Sequence, residues 1–428
     1  MLLVVFSSGC IDFGGEKEEK KTYSAVIHIT SNSEFTSENS VTSGSGTESN
    51  PYIIEDLKVD ASSKLGICIE NTNAYFIIRN CVIHDGGDSH TGIYFYSVQN
   101  GKIENVTSYN NYDGIYLYYS SNNTITNCSV YNNAYYGICL GYSSNNSIIS
   151  NTFTNDGIVL SGYLDDYIQT IENNTINGKP IYYFLNENGI TLDNIEVGQL
   201  ILVNCTNFII KNLDISYTDV GIELLYSSNN QLTNCYVYNN YMGFSLDFSS
   251  NNTITNCGVY NNKRDGILMW YSSNNNLITN CSVYNNSNRG IWLYFSSNNN
   301  TIINCAIYSN NDEGISLWDS SDNEIHYNNI YDNTNYGVDN SDSEDEYQVD
   351  ATNNWWGSVN GPGQDGANSV GSNVLYDPWL TEPAEGIDWT PPEGDEKTKG
   401  FIPGFETAIF LVAMIGVCVT LLRRQQNQ

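Results

Sequence analysis

Residues 256–279 read NCGVYNNKRDGILMWYSSNNNLIT, and residues 280–303 repeat them as NCSVYNNSNRGIWLYFSSNNNTII after 24 positions. Close copies begin at Asn127, Asn234 and Asn304, and looser ones at Asn80 and Asn105. The glycine that opens the apolar segment recurs at Gly92, Gly114, Gly137, Gly157, Gly221, Gly243, Gly266, Gly290, Gly314 and Gly337, mostly at intervals of 22 to 24 residues. A fixed period of this length marks a stacked repeat.

Within the copy that starts at Gly114, apolar or small residues fall at Ile115, Leu117, Ser120, Asn123, Ile125, Cys128, Val130 and Asn133. Steps of two are strand alternation with one face buried. The intervening steps of three, at Ser or Asn, break the alternation. Asn tolerates the left-handed backbone region and bonds its own neighbours, so it suits a corner. Three short strands and three corners make one coil of a parallel β-helix. Leucine-rich repeats share the period but need a denser Leu pattern. With coils about 4.8 Å apart, roughly eleven of them predict a rod of about 50 Å.

The pattern G-I-x-L-x-x-S-x-x-N-x-I-x-x-N/C-x-V/I resembles the NosD-type right-handed β-helix, within the wider group of carbohydrate-binding and sugar-hydrolase β-helices. The resemblance spans roughly residues 44–380, including GSGTESNPYIIEDLKVDAS (44–62) and NTINGKPIYYFLNENG (174–189). It implies an all-β chain, a single-stranded right-handed parallel β-helix of 22–24-residue coils. Functions in this family are diverse, so little chemistry transfers with the fold.

The chain divides accordingly. Residues 1–21 read as a lipoprotein-like signal remnant and tether, with Cys10 as the lipidated residue, although the apolar run is short and lacks a basic start. An N-terminal cap is expected over 22–65 and the β-helix over 66–338, with an irregular coil at 162–203 in which Asn177-Gly178 makes a tight turn. A C-terminal cap over 339–380 carries Trp355 and Trp356, which would cover the apolar stack. A Pro/Glu-rich linker (381–402) leads to a sorting segment over 403–428. There, Pro403-Gly404-Phe405, the apolar run Ala408–Leu422 and Arg423-Arg424 resemble the PGF-CTERM signal of archaeal surface proteins. That resemblance implies a tail exchanged for a lipid; a transmembrane helix is the plainer expectation. Either one tethers the protein to a membrane, with the β-helix at the cell surface, outside the cell.

Lys+Arg 16 against Asp+Glu 48 gives a net charge of −32, which argues against nucleic acid as a partner. Of 11 Cys, Cys128, Cys235, Cys257, Cys281 and Cys305 share one register position, and Cys81 joins them. They read as an inward ladder of free thiols filling the core. Asn-x-Ser/Thr acceptors recur along the coils and are open to glycosylation on an exported chain.

Strand alternation sends Tyr116 and Tyr118 outward between Ile115 and Leu117. The equivalent positions of other coils carry Tyr94, Tyr96, Trp270, Trp292, Tyr294 and Trp318. A solvent-facing aromatic stripe is a platform for sugar rings. Asp113, Asp156, Asp265 and Glu313 precede the opening glycine, beside that stripe, where they could bond hydroxyls or hold calcium as a cofactor. The plainer reading is that the tyrosines stabilise the sheet and the acids make turns. A second outward ladder, Tyr131, Tyr238, Tyr260, Tyr284, Tyr308 and Tyr331, reads as structural.

For catalysis the candidates are Lys263, Arg264, Asp265 and Arg289, at matching loop positions of adjacent coils; Asp165-Asp166 is another carboxylate pair. Neither group forms a recognised lyase or galacturonase pattern. For a metal, His84 and His90 share the loop HDGGDSH (84–90) with Asp85 and Asp88. The expected role is a non-catalytic, membrane-anchored surface module that binds polysaccharide or other envelope components. A polysaccharide lyase or epimerase is the alternative, and a NosD-like copper-processing accessory the second.

Overall fold

The structure, a computed structural model, describes residues 25–340 and 348–387. It is a parallel β-solenoid of about 14 turns with almost no helix. Successive coils stack in register: Ile93, Ile115, Ile138 and Ile158 pair along one wall, and Val237, Val259, Val283 and Ile307 along another. The turn count exceeds eleven because segments read as caps contribute ladder strands. Ala25–Ile29 pairs with Leu65–Thr72, and Val374–Leu375 pairs with Val349–Asp350. Trp356 is fully buried, its ring 3.0 Å from where a Cβ on Gly337 would sit.

The corners follow from the Asn chemistry. Asn122, Asn127 and Asn132 adopt φ of 61°, 54° and 55°. The residue after such a corner turns inward. The amides of Asn252, Asn276, Asn300 and Asn323 form a buried ladder, each Nδ2 donating to the next Oδ1 at 3.1–3.2 Å. The thiols form a parallel ladder: Cys235 N–H donates to Cys257 Sγ and Cys281 N–H to Cys305 Sγ, both at 3.4 Å. Cys81, Cys128, Cys235, Cys257, Cys281 and Cys305 are buried and free, as expected of fillers.

The solenoid is not one straight stack. Thr175–Ile176 and Lys179–Leu185 pair antiparallel across Asn177 (φ 50°) and Gly178 (φ 82°), the tight turn expected there. That hairpin reverses the strand direction. One 15-stranded sheet therefore runs through both halves of the molecule, and its two faces serve different cores. On strand Lys179–Leu185, Tyr183 and Leu185 pack on the first core, whereas Tyr182 and Phe184 pack on the second. Ile201, Val203 and Leu225, on the outer side of the second half, join the first core. They seal the open end of the first stack, which would otherwise expose apolar side chains and strand edges.

The expected transmembrane helix, together with Cys10, Pro403, Gly404 and Phe405, lies outside the described residues. Among the described residues, no helix is long and apolar enough to cross a membrane.

Candidate functional site

Several Gly-Ile strands are buried on both faces. Thr124–Thr126 and Ser129–Tyr131 bury only the central residue, as a one-sided sheet should. Ile115–Tyr118, Ile138–Gly141, Ile267–Trp270 and Ile291–Tyr294 are buried at every position. The expectation that Tyr116 and Tyr118 face solvent is therefore corrected. They are 6% and 4% exposed, Tyr94, Trp270, Trp292 and Tyr294 are equally covered, and Tyr96 is half-buried. Of the stripe, only Trp318, at 40%, is openly exposed. The cause is tertiary. The outer face of the first half's Gly-Ile sheet meets the outer face of the second half's, and their side chains form a third apolar cluster outside both cores.

Direct bonds fix this junction. The Asp219 carboxylate accepts from Gly137 N–H at 2.8 Å and Gly157 N–H at 2.9 Å. Gln199 Oε1 accepts from Ile158 N–H at 3.0 Å, and its Nε2 donates to Glu223 at 3.1 Å. Tyr241 packs on Tyr135 and Tyr136, with ring centroids 5.2 and 5.4 Å away.

At the inner corner of the junction lies a cavity of about 240 Å³. Val159, Leu160, Val220, Met242 and Leu268 form its floor, and Tyr142, Tyr163, Trp270, Tyr271 and Phe248 its aromatic walls. Glu223 and Asp247 are its carboxylates. Register explains the combination: Leu225, Asp247 and Trp270 are successive partners in one outward row. Tyr167 OH donates to Asp247 Oδ2 at 2.5 Å, while Asp247 Oδ1 has no hydrogen-bond partner among the described residues. Burial pushes the Asp247 carboxyl up to about 7, although the Tyr167 hydrogen bond opposes it. Burial, then the neighbouring Asp219, holds Glu223 well above the usual range.

The acids before the opening glycines are not the solvent-facing row expected. Asp113, Asp156 and Asp265 are fully buried, and Glu313 nearly so. Asp156 accepts from Asn133 N–H at 3.1 Å and Asn133 Nδ2 at 2.6 Å, and burial raises its carboxyl to about 7. Asp265 accepts from Asn288 Nδ2 at 2.8 Å and Arg289 N–H at 3.2 Å, with Arg264 Nε 3.3 Å away. Asp156 and Asp265 thus answer backbone donors at coil corners, whereas Asp113 accepts from the Thr91 hydroxyl and Glu313 pairs with Arg289.

Of the four catalytic candidates, the structure brings Arg264, Asp265 and Arg289 together with Glu313 and leaves Lys263 exposed. Arg289 lies 4.2 Å over the Trp292 ring and 3.1 Å from Glu313. This is a stacked and paired guanidinium. Asp166 accepts from Tyr163 N–H at 3.0 Å and closes a short turn beside the cavity. The second tyrosine ladder stacks face to face, with Tyr238, Tyr260, Tyr284, Tyr308 and Tyr331 4.8–5.0 Å apart.

His84 and His90 do not converge. His84 Nδ1 lies 2.8 Å from Asp85 and its ring stacks on Tyr109. Among the described residues, one group of three His, Cys, Asp or Glu donors is close enough to share a metal ion: His28, Cys68 and Glu70. Neither that group, nor the cavity acids Glu223 and Asp247, nor the junction acid Asp219 was singled out from the sequence. Register would have found Asp247 beside Trp270. His28 and Cys68 carry no motif.

The NosD family, described as periplasmic copper-binding protein, matches residues 167–361, and the right-handed β-helix region family matches 24–194. Copper is implied by the first description. Within 167–361 the cysteines point into the apolar core, and the described residues there bring together no three His, Cys, Asp or Glu donors that would hold copper. Among solved structures, the periplasmic alginate epimerase AlgG is 16% identical (76% of this chain, 85% of that chain, TM-score 0.30). The A-module of Azotobacter vinelandii mannuronan C-5 epimerase AlgE4 is 13% identical (76% and 88%, TM-score 0.29). Pectate lyase Pel9A is 15% identical (87% and 84%, TM-score 0.24). At such scores these likenesses carry no functional argument. No curated protein matches the chain. The stacked parallel coils agree with both matches: residues 24–194 are similar to the right-handed β-helix region family and residues 167–361 to the NosD family, each over less than half of the chain.

Proposed function

We propose that this protein is an exported surface module that binds polysaccharide, without turnover, at the junction of its two half-solenoids. The observation that carries the reading is the cavity of about 240 Å³, where aromatic walls stand over two carboxylates. Sugar rings present apolar faces to stack on aromatics and hydroxyls to donate to carboxylates. Tyr163 at 63% and Trp318 at 40% exposure offer ring faces that a glycan can reach without unfolding anything. The periplasmic description of the matched NosD family supports export. The Pro403-Gly404-Phe405 segment would supply the membrane tether and place the module on the cell surface.

A second reading, a lyase or epimerase, is favoured by one observation. Asp247, with a carboxyl near 7 and one oxygen without a protein partner, has the character of an acid/base group. A glycan-array screen, followed by product analysis on every hit, separates the two. Binding that falls with Tyr163→Ala and Trp270→Ala and yields no product supports the binder. New reducing ends, unsaturated products or C-5 inversion, lost in Asp247→Asn, would replace it with the enzyme. Silence on all glycans refutes both.

A further inference from the structure

The first strand, Ala25–Ile29, buries Ile27 and Ile29 and turns His28 to the outer face. His28 pairs in register with Cys68 on the next strand, Leu65–Thr72. Glu70, two residues beyond Cys68, returns to the same face by strand alternation. Three donor types thus meet: His28 Nε2 lies 2.6 Å from Glu70 Oε1, and Cys68 Sγ lies 3.5 Å from the same oxygen. All three donor atoms fall within 4.8 Å of one another.

We propose that His28, Cys68 and Glu70 form a binding site for one borderline divalent cation of the zinc class, independent of the glycan cavity. Imidazole, thiolate and carboxylate together make a mixed set that suits zinc, whereas calcium and magnesium prefer oxygen alone. A tetrahedral zinc with bonds of about 2.0 Å to nitrogen and oxygen and about 2.3 Å to sulfur sets its ligand atoms about 3.3–3.5 Å apart. The Cys68–Glu70 separation of 3.5 Å already meets that spacing. The His28–Glu70 contact at 2.6 Å opens by about 0.7 Å as the ion takes the place of their hydrogen bond. Cys68 is fully buried, but the side chains of His28 and Glu70 are 27% and 13% exposed, so the ion reaches the thiol from their side. On binding, the thiol releases its proton to solvent as the sulfur–metal bond forms. Three protein ligands leave a fourth position for water or an outside donor, as in zinc sites that are not purely structural.

Zinc and cobalt(II) titrations of the chelator-treated full chain test the site. Wild type should take up one equivalent of zinc, and the cobalt form should show thiolate-to-metal charge-transfer absorption. Cys68→Ser should remove that absorption and weaken zinc binding by more than about tenfold. His28→Gln, at a half-exposed position, should weaken it as much while leaving the circular dichroism unchanged. Absence of charge-transfer absorption in wild type overturns the proposal. So does equal uptake by wild type and both variants, which would place the ion on the acidic surface instead.

Discussion

Asp247→Asn is the most informative single perturbation. Burial lifts this carboxyl from an ordinary 3.8 to about 7 in the folded chain. The folded state therefore binds the proton more tightly than the unfolded chain. Its contribution is fully present below pH about 4, declines as pH rises, and is gone above about 7. Three units at about 1.36 kcal/mol each give about 4 kcal/mol at most, and water in the adjoining cavity reduces the figure. Asn keeps an oxygen to accept the Tyr167 hydroxyl, 2.5 Å away, but carries no charge at any pH. Urea unfolding of wild type and variant at pH 5 and pH 8 should show the variant gaining on wild type by up to about 2.7 kcal/mol between the two pH values, because the share between 3.8 and 5 is already lost at the lower one. Because Asp156 and Glu223 are also raised, both proteins should lose some stability on alkalinisation; the difference isolates Asp247. A difference that does not change with pH, or that favours wild type at pH 8, would refute the reasoning.

Other outcomes follow from the coils themselves. Gly243→Ala would place a Cβ 2.3 Å from the Gly266 carbonyl oxygen and 2.6 Å from Val259, and should cost roughly 1–3 kcal/mol by urea unfolding. Asn276→Leu should cost at least about 2 kcal/mol, since it strips donors from the Ser249 and Asn300 oxygens and the acceptor from Asn252 N–H. Thiol labelling of the native protein should spare Cys81, Cys128, Cys205, Cys235, Cys257, Cys281 and Cys305, all free and buried, by peptide mass mapping. The same sites should label in denaturant; labelling before unfolding would show that the solenoid interior opens.

What could be read from the sequence alone was whatever depends on neighbours one coil away. The Gly–Ile period, the left-handed Asn corners, the inward Cys ladder, the stacked Tyr238–Tyr331 row and the Asn177-Gly178 turn each rest on local backbone chemistry or on the register of adjacent repeats. A repeat carries that information in every copy. Only the tertiary structure decided where the two halves meet. Alternation shows that Tyr116 and Trp292 leave the core but not what covers them, because the covering surface lies far along the chain. Asp219 reaches Gly137 across 82 residues and Tyr167 reaches Asp247 across 80. One antiparallel hairpin turns a straight stack into two packed ones, and so buries most of the expected solvent-facing stripe in the junction, with Trp270 alone of its rings lining the cavity. His28 and Cys68 likewise become neighbours only through the pairing of strands 40 residues apart. Periodicity records contacts that recur; a junction formed once, between unlike residues, leaves no period to read.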